Sequence, residues 1–201
     1  MALGIHPLQG RVLLVAVFAL CAAAGCGTGG EVTVDNGRNE RERGFESFSA
    51  GQIAGAVSVI NDTEQMQAKR ALSRLQDESV RAYAERLIQD HQAAEAELNR
   101  ILGQMQISEQ GSPVQDEMQL LGENMRRHIE RETPQLVDQT FLEVQLFMHR
   151  KSIIIVEQQL LPHAGQSEMQ AYLEKFLGTL RQHLGQAVQL RKEFPTLDPG
   201  I

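Results

Sequence analysis

Four ionisable residues interrupt otherwise apolar helical stripes: Glu64, His91, His149 and His183. His91 lies four residues after Leu87 and three before Ala94. His183 lies three after Leu180 and four before Ala187. Such spacings keep a residue on the face of its neighbours, here the apolar and therefore buried face. A carboxylate and three imidazoles turned inward suit either of two roles. Neutral imidazole and carboxylate are ligands for Fe, Mn, Zn or Cu, with Asp90 and Glu157 placed to orient them. Alternatively the same groups pair with one another and fix helix register, because buried charge is tolerated only when partnered. The pairing network is the preferred reading and the metal site its alternative. Glu95 and Glu143 lie close enough in sequence to support either.

The spacing also disfavours one metal chemistry. Di-iron bundles carry Glu-x-x-His on each of two helices. Here Ile88 precedes His91 by three and Leu180 precedes His183 by three. No nucleophile with a positioned base is visible, so an enzyme is not the expectation. His6, His128 and His163 read as solvated, and the methionines at helical spacing read as core filling.

The elements needed to position these residues follow from the periodicity after Ser49, which is helical, with no convincing strand pattern. Ser49 and Gln52 form a capping box. Ile53, Val57, Ile60, Glu64, Ala68, Ala71 and Leu75 make the first stripe, although Gly55 and Asn61-Asp62-Thr63 weaken it and Thr63 could start a new helix. Asp77-Glu78-Ser79 marks a turn and a cap, and the second helix runs to near Met105. Ser112-Pro113 and Thr133-Pro134 read as two further helix starts. Pro162 and Gly165 mark the last turn, and Pro195 ends the last helix. The fold class is therefore all-α: a four-helix bundle of ferritin-like connectivity, with a helical crossover between the second and third long helices.

Depths agree as well. Glu64 stands 13 residues before Asp77, and His91 stands 14 after it. His149 stands 15 before a turn centred near Ala164, and His183 stands 19 after it. At about 1.5 Å per residue, the four fall within roughly 6 Å of one level.

The start of the chain reads as an export signal. Arg11 is followed by the apolar run Val12–Ala24, 13 residues long. That is short of the ~20 residues of a membrane span and suits a signal peptide, 1–25. Ala23-Ala24-Gly25-Cys26 resembles a lipobox, with Ala23 where Leu is usual, so Cys26 is the expected lipidation site. The alternative is ordinary cleavage at the Ala-rich site, which leaves a soluble periplasmic protein. Gly27, rather than Asp, points by resemblance to the outer membrane, facing the periplasm. Residues 26–48 mix glycine with charge and read as a flexible tether. The bundle is expected over 49–194, with a disordered tail at 195–201.

The chain has 19 Lys+Arg and 26 Asp+Glu, a net of −7. An acidic surface, few aromatics and no Trp argue against nucleic-acid binding. The expected partners are the membrane, through the lipid, and an envelope protein.

The stretches VRAYAERLIQDHQAAEAELNRIL, DQTFLEVQLFMHRKSIIIVE and LGTLRQHLGQA resemble, in order, the motifs of a bacterial "predicted outer membrane protein" family, domain of unknown function 4142. Within them Asp90, His91, Asp138, His149, Glu157 and His183 match, and Glu64 precedes Val80 at the family's distance. Phe141 and Met148 depart from the pattern, which usually has Tyr and often an acidic residue there. The resemblance covers about residues 50–191. It implies a ferritin-like bundle outside the cytoplasm and no established reaction.

Overall fold

The computed structural model describes residues 47–195. Five α-helices run in chain order: α1 (Ala50–Leu72), α2 (Glu78–Met105), α3 (Pro113–Arg131), α4 (Val137–Ile155) and α5 (Ser167–Arg191). A π-helical turn (Val156–Leu160) and a 3-10 turn (Leu161–His163) join the last two. Among the described residues there is no strand, and no helix is long and apolar enough to cross a membrane. The expected signal peptide, Cys26, nearly all of the tether and most of the tail lie outside the described residues.

The starts of α1, α2 and α3 follow the expected chemistry. The Ser49 hydroxyl accepts from Gln52 N–H (3.1 Å), and the Gln52 side chain accepts from Ser49 N–H (3.0 Å). Asp77 accepts from Ser79 and Val80 N–H at 2.8 and 3.0 Å. Ser112 accepts from Gln115 N–H at 3.1 Å, with Pro113 in the first turn. Each satisfies helix N–H groups that no carbonyl reaches. Ser112→Ala is expected to cost about 1 kcal/mol and Ser112→Gly only a few tenths. Urea unfolding should then show a lower midpoint at unchanged slope.

Two local expectations change. The polar run Asn61-Asp62-Thr63 does not break α1. The Thr63 hydroxyl bonds back to the Val59 and Ile60 carbonyls (2.8 and 3.1 Å), so it satisfies itself within the helix. The start expected at Thr133-Pro134 shifts to Val137. Local polar contacts hold residues 133–136 as a separate turn. Thr133 N–H is taken by the Glu132 carboxylate, the Pro134 carbonyl by the Gln76 amide, and Leu136 N–H by the Thr133 carbonyl.

Side-chain contacts fix the helix directions. Asp138, in the first turn of α4, accepts from Gln76 N–H at 3.0 Å just before α2. Helices α2 and α4 therefore start at the same end and run parallel. The crossover α3 makes this feasible, since its 19 residues span about 28 Å. Helices α2 and α5 run antiparallel: the Tyr83 hydroxyl donates to the His183 carbonyl, and the Tyr172 hydroxyl to the Ala94 carbonyl. Helices α1, α2, α4 and α5 enclose a core that includes Ile60, Leu87, Leu98, Leu142, Leu173 and Leu180. Helix α3 packs outside, on α1 and α4.

Candidate metal centre

Three helices each bring one histidine to the middle of this core. His91 (α2), His149 (α4) and His183 (α5) are fully buried. One nitrogen of each ring lies within 4.8 Å of the other two. Ring centroids are 5.3 Å apart for His91–His183 and His149–His183, and 6.0 Å for His91–His149.

Their hydrogen-bond partners assign the protons. His91 Nδ1 is 3.0 Å from Asn61 Oδ1. The Asn61 amide nitrogen donates to Glu95 at 2.9 Å, so Oδ1 is the acceptor and His91 Nδ1 donates. His149 Nδ1 donates to the Gln145 carbonyl at 2.9 Å. His183 Nε2 donates to Asp90 Oδ2 at 2.9 Å. A neutral imidazole has one N–H, so the other nitrogen of each ring carries a lone pair. These are His91 Nε2, His149 Nε2 and His183 Nδ1. His91 Nε2 has no hydrogen-bond partner. His149 Nε2 and His183 Nδ1 face each other at 3.3 Å.

Two facing lone pairs and a third unpartnered one form an arrangement that a cation would satisfy. A proton would satisfy one pair only. Burial also opposes that proton: it pushes His91 well below the usual imidazole range, with His149 and His183 adding to the effect. Burial lowers His149 to about 3, reinforced by His183 and opposed by the Gln145 carbonyl. His183 is lowered by burial and partly restored by Asp90. A transition-metal ion, unlike a proton, has coordination positions enough for three nitrogens. The His149–His183 separation of 3.3 Å matches that of two nitrogens at ~2.0–2.1 Å from a four-coordinate zinc, about 3.3 Å apart. The donor set suits Zn, Cu, Fe or Ni. Each ring also holds its outer N–H on a carbonyl or carboxylate, the arrangement that fixes ligand orientation.

Glu64 lies apart from the three free nitrogens. Its Oε1 is 3.6 Å from His149 Nδ1, the nitrogen already engaged by Gln145. Both Glu64 oxygens are buried without a hydrogen-bond partner. Burial raises its carboxyl to about 8, and the nearby Gln145 side chain offsets only part of this. Without a metal, burial therefore favours the neutral form of Glu64 at pH 7. Asp90 accepts from His183 on α5 and not from His91, its neighbour in sequence. Glu157 sits on the surface, paired with Arg181 at 2.8 Å. Glu95 supports Asn61, and Glu143 pairs with Arg191.

Sequence reasoning missed Asn61 and the Gln145 carbonyl. Asn61 did carry a signal: it is a polar residue three before Glu64 and one after Ile60, on the inward side of α1. A backbone carbonyl leaves no trace in residue type.

Residues 41–190 match the family model described as Domain of unknown function (DUF4142). No curated protein matches, and no solved structure matches.

Proposed function

The chain belongs to the DUF4142 family, and we propose that its bundle is a metal-binding domain of the bacterial cell envelope. The ligands in this reading are His91, His149 and His183, and Asn61, the Gln145 carbonyl and Asp90 orient them. The carrying observation is that one nitrogen from each of three fully buried imidazoles lies within 4.8 Å of the other two, while an N–H of each ring is already committed. A network evolved only to fix register has no need for unpartnered buried nitrogens, which cost free energy. The envelope address rests on the leader-like residues 1–25 and the lipobox-like Cys26, which would tether the bundle to the outer membrane.

The chemistry such a centre supplies is Lewis-acid or redox chemistry at a position left open by three protein ligands. The protein's part would be to hold the three buried rings in place. The convergence of the three rings supports binding or storage of the ion.

The full chain, extracted in mild detergent and purified without a histidine tag, is expected to carry close to one equivalent of transition metal by elemental analysis. His149→Ala with His183→Ala should abolish it. A folded chain that takes up no Zn, Cu, Fe or Ni after dialysis against each would refute the reading. The lipid anchor has a separate check: a fatty-acid analogue should label the wild type and leave Cys26→Ser unlabelled.

A further inference from the structure

We infer that the solvent face of α4 pairs with the same face of a second copy of this chain, antiparallel across a two-fold axis between Ile153 and Ile154. The inference stands apart from the metal reading.

A helix on the outside of a bundle ordinarily turns an apolar stripe to the core and polar residues to water. Helix α4 carries apolar residues on both sides. Phe147 is 49% exposed and Ile154 46%, two of the three exposed large apolar side chains among the described residues. They stand seven residues apart and so share one line along the helix. Leu146 and Ile153, also seven apart and half-buried, make a second line. Arg150 is exposed between the two lines. Glu157 is exposed seven residues further on, in the π-helical turn that continues the helix.

The charges select the occupant. Among the described residues Arg150 forms no ion pair. Glu157 gives Oε1 to Arg181 at 2.8 Å, an exposed pair of small worth, and its Oε2 takes no hydrogen bond among the described residues. Glu143, the other carboxylate on this face, is held by Arg191 through both Nε and Nη2. With the axis between Ile153 and Ile154, Arg150 faces Glu157 of the second copy, and Glu157 faces Arg150 of the second copy. A two-fold contact returns every pair in this way, so one surface serves both partners. Ile154 then meets Ile154 of the second copy on one side of the axis, and Ile153 meets its own counterpart on the other. The lone arginine and the exposed isoleucine are both covered by the surface that presents them. The strip is one helix wide, less than the ~1,200–2,000 Å² of a standard interface, so a Kd of micromolar order is expected.

Disulfide trapping of the full chain in the cells that make it, before any detergent is added, tests the pairing. The wild type, with Cys21 and Cys26 its two cysteines, sets the background. After mild oxidation with diamide, Ile154→Cys should give a cross-link of twice the chain mass. Leu120→Cys, on α3 and more exposed at 64%, should stay at background. In the Ile154→Cys chain, Arg150→Glu or Glu157→Arg should slow cross-linking about tenfold, because two pairs turn from attraction to repulsion. Arg150→Glu together with Glu157→Arg should restore it, since the reversed charges again face their opposites. These positions are exposed, so the variants are expected to fold. A cross-link from Ile154→Cys to a different protein, or none beyond the Leu120→Cys level, would overturn the inference and leave the strip to another protein or to a lipid surface. Cross-linking indifferent to the single reversals, or unrestored by the double one, would overturn it too.

Discussion

Glu64→Gln is expected to stabilise the metal-free protein progressively as pH rises, by on the order of 4 kcal/mol at pH 8 relative to pH 4.5. Glu64 is fully buried, and its carboxyl is raised from 4.5 to about 8, chiefly by burial. Between those values the folded chain keeps a proton that the unfolded chain releases. Folded stability from this group is complete below pH 4.5 and is lost at about 1.4 kcal/mol per pH unit up to about 8. Glutamine has the same shape and no proton to lose. The histidines tilt the other way. Their folded forms are held neutral, His149 down to about 3, so their contribution is present above 6.5 and lost as pH falls toward 3. Both slopes occur in wild type, and the difference between wild type and Glu64→Gln isolates the carboxyl. Chemical denaturation with chelator at several pH values measures it. A difference that stays constant from pH 4.5 to 8 would mean that Glu64 is already ionised at neutral pH.

Of the four residues read from the sequence, His91, His149 and His183 bring ring nitrogens together, and Glu64 lies beside them. Period and depth placed Glu64, His91, His149 and His183 on inward faces at one level, and all four are fully buried. Periodicity says which face a residue takes. It does not say which ring nitrogen points where, and that decides the ligands. Glu64 approaches the back of His149, a distinction of one ring width. The outer partners were legible in proportion to their chemistry. Asp90 was visible as a carboxylate beside stripe His91, although the ring it bonds, His183, comes from α5 and is not legible from that adjacency. Glu157 had the same appearance, but it sits at the π-helical turn. An extra residue per turn there changes the facing that a 3.6 period assigns. Helix starts at Ser49, Asp77 and Ser112 were legible because a side-chain oxygen has one nearby task. Thr133 was not, since Glu132 and Gln76 compete for the same backbone groups.

Gly122→Ala should lower the unfolding free energy by about 2–3 kcal/mol, although alanine is the better helix former by about 1 kcal/mol. Gly122 lies on α3 where it crosses α1. A Cβ there would stand 2.3 Å from Thr63 Cγ2 and 2.6 Å from Thr63 Cβ. The second contact cannot relax by rotation, because a Cβ is fixed to its backbone, so the helices must part. Parting them breaks the bond from Gln67 Nε2 to the Gly122 carbonyl (3.1 Å). Gln67 in turn accepts from the Gln145 side chain at 3.1 Å, and the Gln145 carbonyl holds His149. The crossover helix is thus joined to His149 through Gln67 and Gln145 by buried hydrogen bonds. Gly178→Ala and Gly185→Ala supply the contrast. Nothing stands within 4 Å of a Cβ at either position, so each should stabilise by about 0.5–1 kcal/mol. Thr63→Ala in the Gly122→Ala background should recover only part of the loss, since it removes the 2.3 Å contact and leaves the 2.6 Å one. Urea midpoints for the four variants test this ordering. Equal stability of Gly122→Ala and wild type would mean that α3 rides on α1 without close packing. In that case the Gln67–Gln145 chain could not transmit anything to His149.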